Sequence, residues 1–256
     1  MDYLQIQDKI RKNFATILND NYELKSLLLQ IFVEGTAYII GGYVRDQINN
    51  VPSRDIDIII DLKHSRLIEF IKSSNLKYTI NRHNGIKLTL NNLYVDIWSI
   101  EENWAFRENL VVLNEEDKLE SIAKGCFYNY DALVVNLHTF NYNIRYYNKF
   151  KKTGILDILQ LSNEYKILNP TSEANILRAC WLKKAFNINF SPNLKKYIFH
   201  TTGRYNDQYG NYLVRLLEIK KRYPKYNDYL TSKDILNIIS ETKYNIEAND
   251  QLLLDI

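Results

Sequence analysis

Three acids and a diglycine are the residues through which this sequence could do chemistry. Asp55 and Asp57 stand two residues apart in Asp55-Ile56-Asp57-Ile58-Ile59-Ile60. In an extended chain that spacing turns both side chains to one face. Two hard oxygen donors on a rigid surface suit Mg²⁺, which keeps some of its waters and completes its shell with substrate phosphates. Asp96 lies in Leu93-Tyr94-Val95-Asp96-Ile97-Trp98, an acid between apolar residues that is costly to bury without a partner. Packed beside the first pair, it would complete a two-metal site that activates an attacking hydroxyl and stabilises a departing pyrophosphate. Upstream, Tyr38-Ile39-Ile40-Gly41-Gly42-Tyr43-Val44-Arg45-Asp46 reads as a strand, a diglycine and the start of a helix. Glycines let the backbone approach a ligand closely, and a helix N-terminus offers N–H groups and a positive dipole end. Arg45 adds a forked cation in the first turn. Together these residues make a phosphate cradle.

Each part alone has a plainer reading. A lone Gly-Gly is usually a turn, a lone Asp-x-Asp a solvated strand end, and Asp96 an acid facing water. The conjunction in this order is far more specific than any part. Arg54, next to the acids, is either a phosphate contact or a surface cation. His64, His83, His138 and His200 show no ligand spacing. Trp98, Trp104 and Trp181 read as core rather than as stacking platforms.

The elements that must position these residues follow from hydrophobic periodicity. Helical spacing from Leu4 to Val33, broken near Asn19-Asp20-Asn21, predicts two helices. Strands are predicted at Ala37–Ile40 and Asp55–Ile60, with a short helix at Val44–Ile48 between them and another helix at His64–Ser73. Further strands are expected at Lys77–Ile80, Ile86–Leu90 and Tyr94–Trp98, the last two joined by an Asn91-Asn92 turn. Beyond about residue 120 the pattern turns mainly helical. Ile176–Phe186 and Gly210–Arg222 are amphipathic, and Pro170, Pro192 and Pro224 punctuate the helices.

Composition sets the frame. The chain has 256 residues, 46% hydrophobic and 25% charged, with 13% aromatic residues, as in globular proteins that bury a core. No apolar run approaches the ~20 residues that span a bilayer. The start, Met1-Asp2-Tyr3-Leu4, has no basic or apolar leader pattern. Cys126 and Cys180 match no metal or redox spacing, which points to free thiols and a cytoplasmic setting. The net charge is +3, but Arg178 to Lys225 holds 11 basic residues against two acids, Asp207 and Glu218. Tyr197, Tyr205, Tyr209, Tyr212, Tyr223 and Tyr226 are interleaved with them. The pattern fits either a nucleic-acid track of cations and stacking rings, or a solvated helical surface whose tyrosines serve the core.

These residues resemble the head domain of class II CCA-adding enzymes and bacterial poly(A) polymerases, within the polymerase β-like nucleotidyltransferase superfamily. The family pattern Gly-Gly-x-Val-Arg-Asp followed by Asp-x-Asp is matched by Gly41-Gly42-Tyr43-Val44-Arg45-Asp46 and Asp55-Ile56-Asp57. The family's later carboxylate strand is similar to Val95-Asp96-Ile97-Trp98. Its sugar- and phosphate-holding stretch is reduced to Asn129-Tyr130-Asp131-Ala132-Leu133, with Asp131 where the family has Asn. Of its base-selecting motif only Ile176-Leu177-Arg178-Ala179 survives. The resemblance implies an α+β fold. The resemblance covers roughly residues 35–190, and the expected division is a mixed-sheet nucleotidyltransferase head with N-terminal helices over 1–145 and an all-helical, basic neck domain over 146–256. It implies Mg²⁺-dependent transfer of NMP from an NTP, ATP or CTP, to an acceptor hydroxyl, with RNA as the acceptor. Asp55, Asp57 and Asp96 are then catalytic metal ligands. Gly41, Gly42, Arg45, Asp46, Arg54 and Asp131 contact the nucleotide. Arg178 either lines the nucleotide pocket or is a plain surface arginine. CCA addition itself is not implied, because the base-reading motifs are eroded and the length leaves little room for a tRNA-measuring body. Two other readings stand beside this one: transfer to a protein or small molecule, and an inactive nucleotide- or RNA-binding module.

Overall fold

The computed structural model describes residues 3–53, 55–90, 93–159 and 172–254. Arg54, the Asn91-Asn92 turn, Pro170 and Thr171 lie outside them. The chain divides between Lys149 and Phe150 into two compact units.

The first unit holds helices α1 (Tyr3–Asp20), α2 (Tyr22–Glu34), α3 (Gly42–Asn49), α4 (His64–Ser73), α5 (Trp104–Arg107) and α6 (Lys118–Lys124). Helix α7 (Arg145–Thr153) contains the division. Its strands are β1 (Thr36–Ile40), β2 (Asp55–Asp61), β3 (Tyr78–Ile80), β4 (Ile86–Thr89), β5 (Tyr94–Ser99), β6 (Val134–Asn136) and β7 (Tyr142–Asn143). They form one seven-stranded sheet in the order β3-β4-β5-β2-β1-β6-β7. Only β2 and β5 run parallel; every other neighbouring pair in this sheet is antiparallel.

The sheet's two faces differ because its strands alternate. Ile56, Ile58, Ile60, Val95 and Ile97 are fully buried. Leu24, Leu27, Leu28 and Ile31 of α2 and Leu67 and Ile71 of α4 are buried with them, and these helices pack on β1 and β5. Each such side chain contributes about 1.5–3 kcal/mol. The alternate positions Asp55, Asp57 and Asp96 are only half-buried and take the other face.

The predicted elements of this unit appear within a residue or two of expectation, with two differences. Helix α3 begins at Gly42 rather than Val44, because Gly41 itself is its N-cap. Past residue 120 the chain is not simply helical. Strands β6 and β7 return to the head sheet, with Ile40 opposite Val134 in register. They are too short for periodicity to reveal.

The second unit contains strands β8 (Ile155–Leu156) and β9 (Asn189–Phe190), which pair in parallel. Its helices are α8 (Ser172–Phe186), α9 (Pro192–Tyr209), α10 (Tyr212–Lys220), α11 (Pro224–Tyr229) and α12 (Ser232–Leu254). Pro192 and Pro224 each open a helix, where a missing N–H costs nothing. Gly210 was expected to start a helix; it instead closes α9 in a left-handed conformation. Among the described residues no helix is long and apolar enough to cross a membrane.

Candidate functional site

Period-2 alternation puts Asp55 and Asp57 on one face of β2, but their relation to Asp96 depends on register. In the parallel β2–β5 ladder Asp57 lies directly opposite Asp96, and Asp55 opposite Tyr94. Paired residues on adjacent strands face the same way, about 4.8 Å apart. All three acids therefore share the half-exposed face. Burial raises the Asp96 carboxyl above its ordinary value, the Lys87 ammonium opposes that rise, and the charge of Asp55 reinforces it. The like charge of Asp55 thus reaches Asp96 across the strands.

The diglycine adjoins this floor, because Ile40, the residue before it, pairs with Asp57. Gly41 has φ +68° and ψ −123°, a conformation that L side chains rarely adopt. Its N–H donates to the Leu133 carbonyl at 2.9 Å. Helix α3 starts at Gly42, whose α-hydrogen side faces the Arg45 guanidinium: a Cβ there would lie 3.5 Å from Nη2. The Arg45 N–H donates to the Gly41 carbonyl at 3.2 Å, and the N–H groups of Gly42, Tyr43 and Val44 ahead of it precede the first intrahelical bond and suit an anion.

Arg45 is held from several sides. It donates to Asp131 Oδ1 at 3.1 Å, comes within 3.7 Å of Asp46 Oδ1, and lies 4.4 Å over the Tyr130 ring. Its side chain is 14% exposed and that of Asp131 19%, so this ion pair is well shielded from water. Tyr130 meets Tyr147 edge to face, and the Tyr147 hydroxyl is bonded to Asn49 of α3. The 3₁₀ turn Asn129–Asp131 is thereby pinned to the diglycine bend. Asp131, assigned to nucleotide contact through the resemblance, lies beside Arg45 and Gly41 and is bound to the arginine. Arg178 lies on α8 in the second unit, half-buried.

Among the described residues, no three carboxylate, imidazole or thiol side chains close together tightly enough to ligate an ion by themselves. The donor chemistry fits a hard cation all the same. Three carboxylates on one face, one of them raised by burial and by its neighbour's charge, suit Mg²⁺, which takes one or two protein carboxylates and fills its shell with water and phosphate.

Lys87 escaped the sequence reading. It lies on β4 directly opposite Asp96, exposed, with its ammonium 4.7 Å over the Tyr94 ring. Its alternation in Ile86-Lys87-Leu88-Thr89 was legible, but its partner strand was not.

The basic tract of the second unit divides between the two readings given for it. Tyr197, Tyr205 and Tyr226 are buried and cannot stack on a base, whereas Tyr209 and Tyr223 are 50% and 38% exposed. Lys183 pairs with Glu241, Lys184 with Asp234 and Arg215 with Glu173. Lys196, Lys221 and Arg222 are exposed.

No family model matches the chain, and no curated protein matches its sequence. Solved structures do. The apo form of a CCA-adding enzyme matches with a TM-score of 0.61 at 18% identity, covering 89% of this chain and 51% of that one. A CCA-adding enzyme in complex with ATP gives 0.59 at 16% identity, covering 89% and 52%. The Thermotoga maritima CCA-adding enzyme complexed with tRNA gives 0.56 at 16%, covering 82% and 47%. The chain spans about half the length of these proteins and shares their fold.

Proposed function

We propose that this chain, which has the fold of CCA-adding enzymes over most of its length, is a nucleotidyltransferase that moves NMP from an NTP to the 3′ hydroxyl of an RNA. The observation that carries the reading is the register that sets Asp57 opposite Asp96, with Asp55 on the same face and the diglycine bend one strand away. ATP or CTP binds with its triphosphate at Gly41, Gly42 and the first turn of α3, where N–H groups and the helix dipole favour negative charge. Arg45 keeps the bend and Asp131 in one arrangement and brings a cation to the same turn, where Asp46 lies beside it. Asp55, Asp57 and Asp96 are the carboxylates that would hold Mg²⁺. Bound Mg²⁺ supplies charge neutralisation at the phosphates and a more acidic acceptor hydroxyl. The acceptor hydroxyl gives its proton to solvent as its oxygen forms a bond to the α-phosphorus, the bond from that phosphorus to the α–β bridging oxygen breaks, and pyrophosphate leaves. Positioning supplies much of the rate, so none of the histidines is required as a general base.

Arg178 and the exposed cations Lys196, Lys221 and Arg222 of the second unit support an RNA acceptor by charge. Cys126 and Cys180, which are not joined in a disulfide, support a reducing, cytoplasmic setting. The test is incubation with each labelled NTP, Mg²⁺ and a panel of RNAs, resolved by size, beside protein and small hydroxyl acceptors. The expected result is NTP-selective extension of RNA, lost by at least about a thousandfold in Asp55→Asn/Asp57→Asn, since metal ligation is worth several kcal/mol of barrier. Transfer that survives the double substitution refutes the assignment.

A further inference from the structure

We propose that Lys87 and Tyr94 form the acceptor subsite, Lys87 binding the phosphate and Tyr94 the base of the terminal nucleotide of a single-stranded RNA. The proposal rests on the nucleotidyl-transfer reading and deepens it. Direct register pairs lay one row across four strands: Ile40 on β1, Asp57 on β2, Asp96 on β5 and Lys87 on β4. The diglycine follows Ile40 at one end of this row, and Lys87 ends the other. The acids thus lie between two sites that favour anions.

A transfer reaction needs one such site for the triphosphate. A second, on the far flank of the acids, suits an acceptor that also carries phosphate. A neutral hydroxyl acceptor would gain nothing from it. At about 4.8 Å per strand, Lys87 is one strand spacing from Asp96 and two from Asp57, within a nucleotide's reach.

The neighbouring row supplies the ring. Asp55, Tyr94 and Thr89 are paired in register, so Tyr94 shares the acid face. It is 46% exposed, and the Lys87 ammonium lies 4.7 Å over its ring. A cation joined to an exposed aromatic face is the unit by which single strands are held without sequence reading. Lys87 also offsets the charge of Asp96, and that role alone would make no contact with RNA.

The experiment uses the full chain with a short 5′-fluorescein single-stranded RNA, read by anisotropy at several salt concentrations, alongside ATP binding by equilibrium dialysis and steady-state turnover. Lys87→Ala is expected to weaken RNA binding several-fold and to lower the log–log salt slope by about 0.7, one phosphate contact on a single strand. Lys87→Arg should restore both. Tyr94→Leu should weaken binding by about tenfold while Tyr94→Phe does not, as expected for stacking. In turnover the acceptor KM rises, and the ATP dissociation constant stays within about twofold. Unchanged RNA affinity and salt slope in Lys87→Ala/Tyr94→Leu overturn the proposal, as does an equal loss of ATP affinity. RNA binding that depends on Lys87 in a protein that transfers no NMP keeps the subsite and removes the transfer reading. Transfer to RNA that is indifferent to Lys87 does the reverse.

Discussion

Gly41 and Gly42 are adjacent, yet the structure gives them different tasks, and alanine separates the two. At Gly41 a Cβ would lie 3.8 Å from the Asp131 carbonyl oxygen, ordinary contact, so nothing clashes. The cost lies in the backbone, because φ +68° with ψ −123° is a region that alanine avoids. Strain of this kind costs about 1–3 kcal/mol. In a unit of this size that lowers the melting temperature by about 2–4 °C per kcal/mol. At Gly42 the backbone is helical, and an added Cβ would meet Arg45 Nη2 at 3.5 Å, again ordinary contact. Alanine there should leave the fold intact or stabilise it by about 0.5–1 kcal/mol, since it is the better helix former. Its methyl would occupy the space an anion needs to reach the N–H groups of α3. Losing one charged hydrogen bond costs about 1.5–3 kcal/mol, so ATP affinity should fall by about 10- to 150-fold. The assay pairs thermal melts with equilibrium dialysis of ATP in Mg²⁺. Gly42→Ala with wild-type ATP affinity would refute the cradle. An unchanged melting temperature in Gly41→Ala would show that the bend does not require a glycine conformation.

Asp96→Asn should abolish transfer and raise thermal stability in metal-free buffer at neutral pH. The Asp96 carboxyl is raised by burial, so the folded state binds its proton more tightly than the unfolded one, and stability falls as pH rises through the raised value. The advantage of Asn should therefore vanish below the ordinary aspartate value of 3.8; melts from pH 3 to 7.5 in EDTA would show no such trend if the carboxylate bears no burial penalty. Arg45→Ala should cost about 2–3 kcal/mol in urea unfolding, and the cycle with Asp131→Ala should reveal a coupling of about 1–3 kcal/mol; additive losses would mean the 3.1 Å pair does not hold the turn to the bend. In the second unit Thr231 and Asp234 cap α12 reciprocally: the Thr231 N–H donates to Asp234 Oδ2 at 2.7 Å, and the Asp234 N–H to Thr231 Oγ1 at 3.1 Å. Thr231→Ala should cost about 1 kcal/mol. The Lys184 and Thr231 hydrogen bonds hold Asp234 at about 2, so its contribution is present above 3.8 and lost as pH falls through about 2. The difference between wild type and Asp234→Asn should fade over that window, and a pH-independent difference would count against the ion pair.

Much of this protein was legible in one dimension. The break near Asn21, the helix at His64–Ser73 and the strands that carry the acids follow from local periodicity, because a side chain's face is fixed by its own backbone repeat. The shared face of Asp55 and Asp57 is of that kind, and so is the diglycine between a strand and a helix. Register is of another kind. That β5 pairs in parallel with β2, so that Asp96 meets Asp57, is settled by hydrogen bonds between segments far apart in sequence and by the helices buried on the opposite face. A slip of one residue would have turned Asp96 to that apolar face. The same long-range pairing brought Lys87 beside Asp96, added β6 and β7 to the sheet, and gave Arg45 to Asp131. It also sorted the tyrosines of the basic tract, which look alike in sequence, into buried Tyr197, Tyr205 and Tyr226 and exposed Tyr209 and Tyr223. Sequence determined which groups could act and which way each faced along its own strand or helix. Only the tertiary structure decided which of them meet, because that depends on pairing and packing between elements rather than within them.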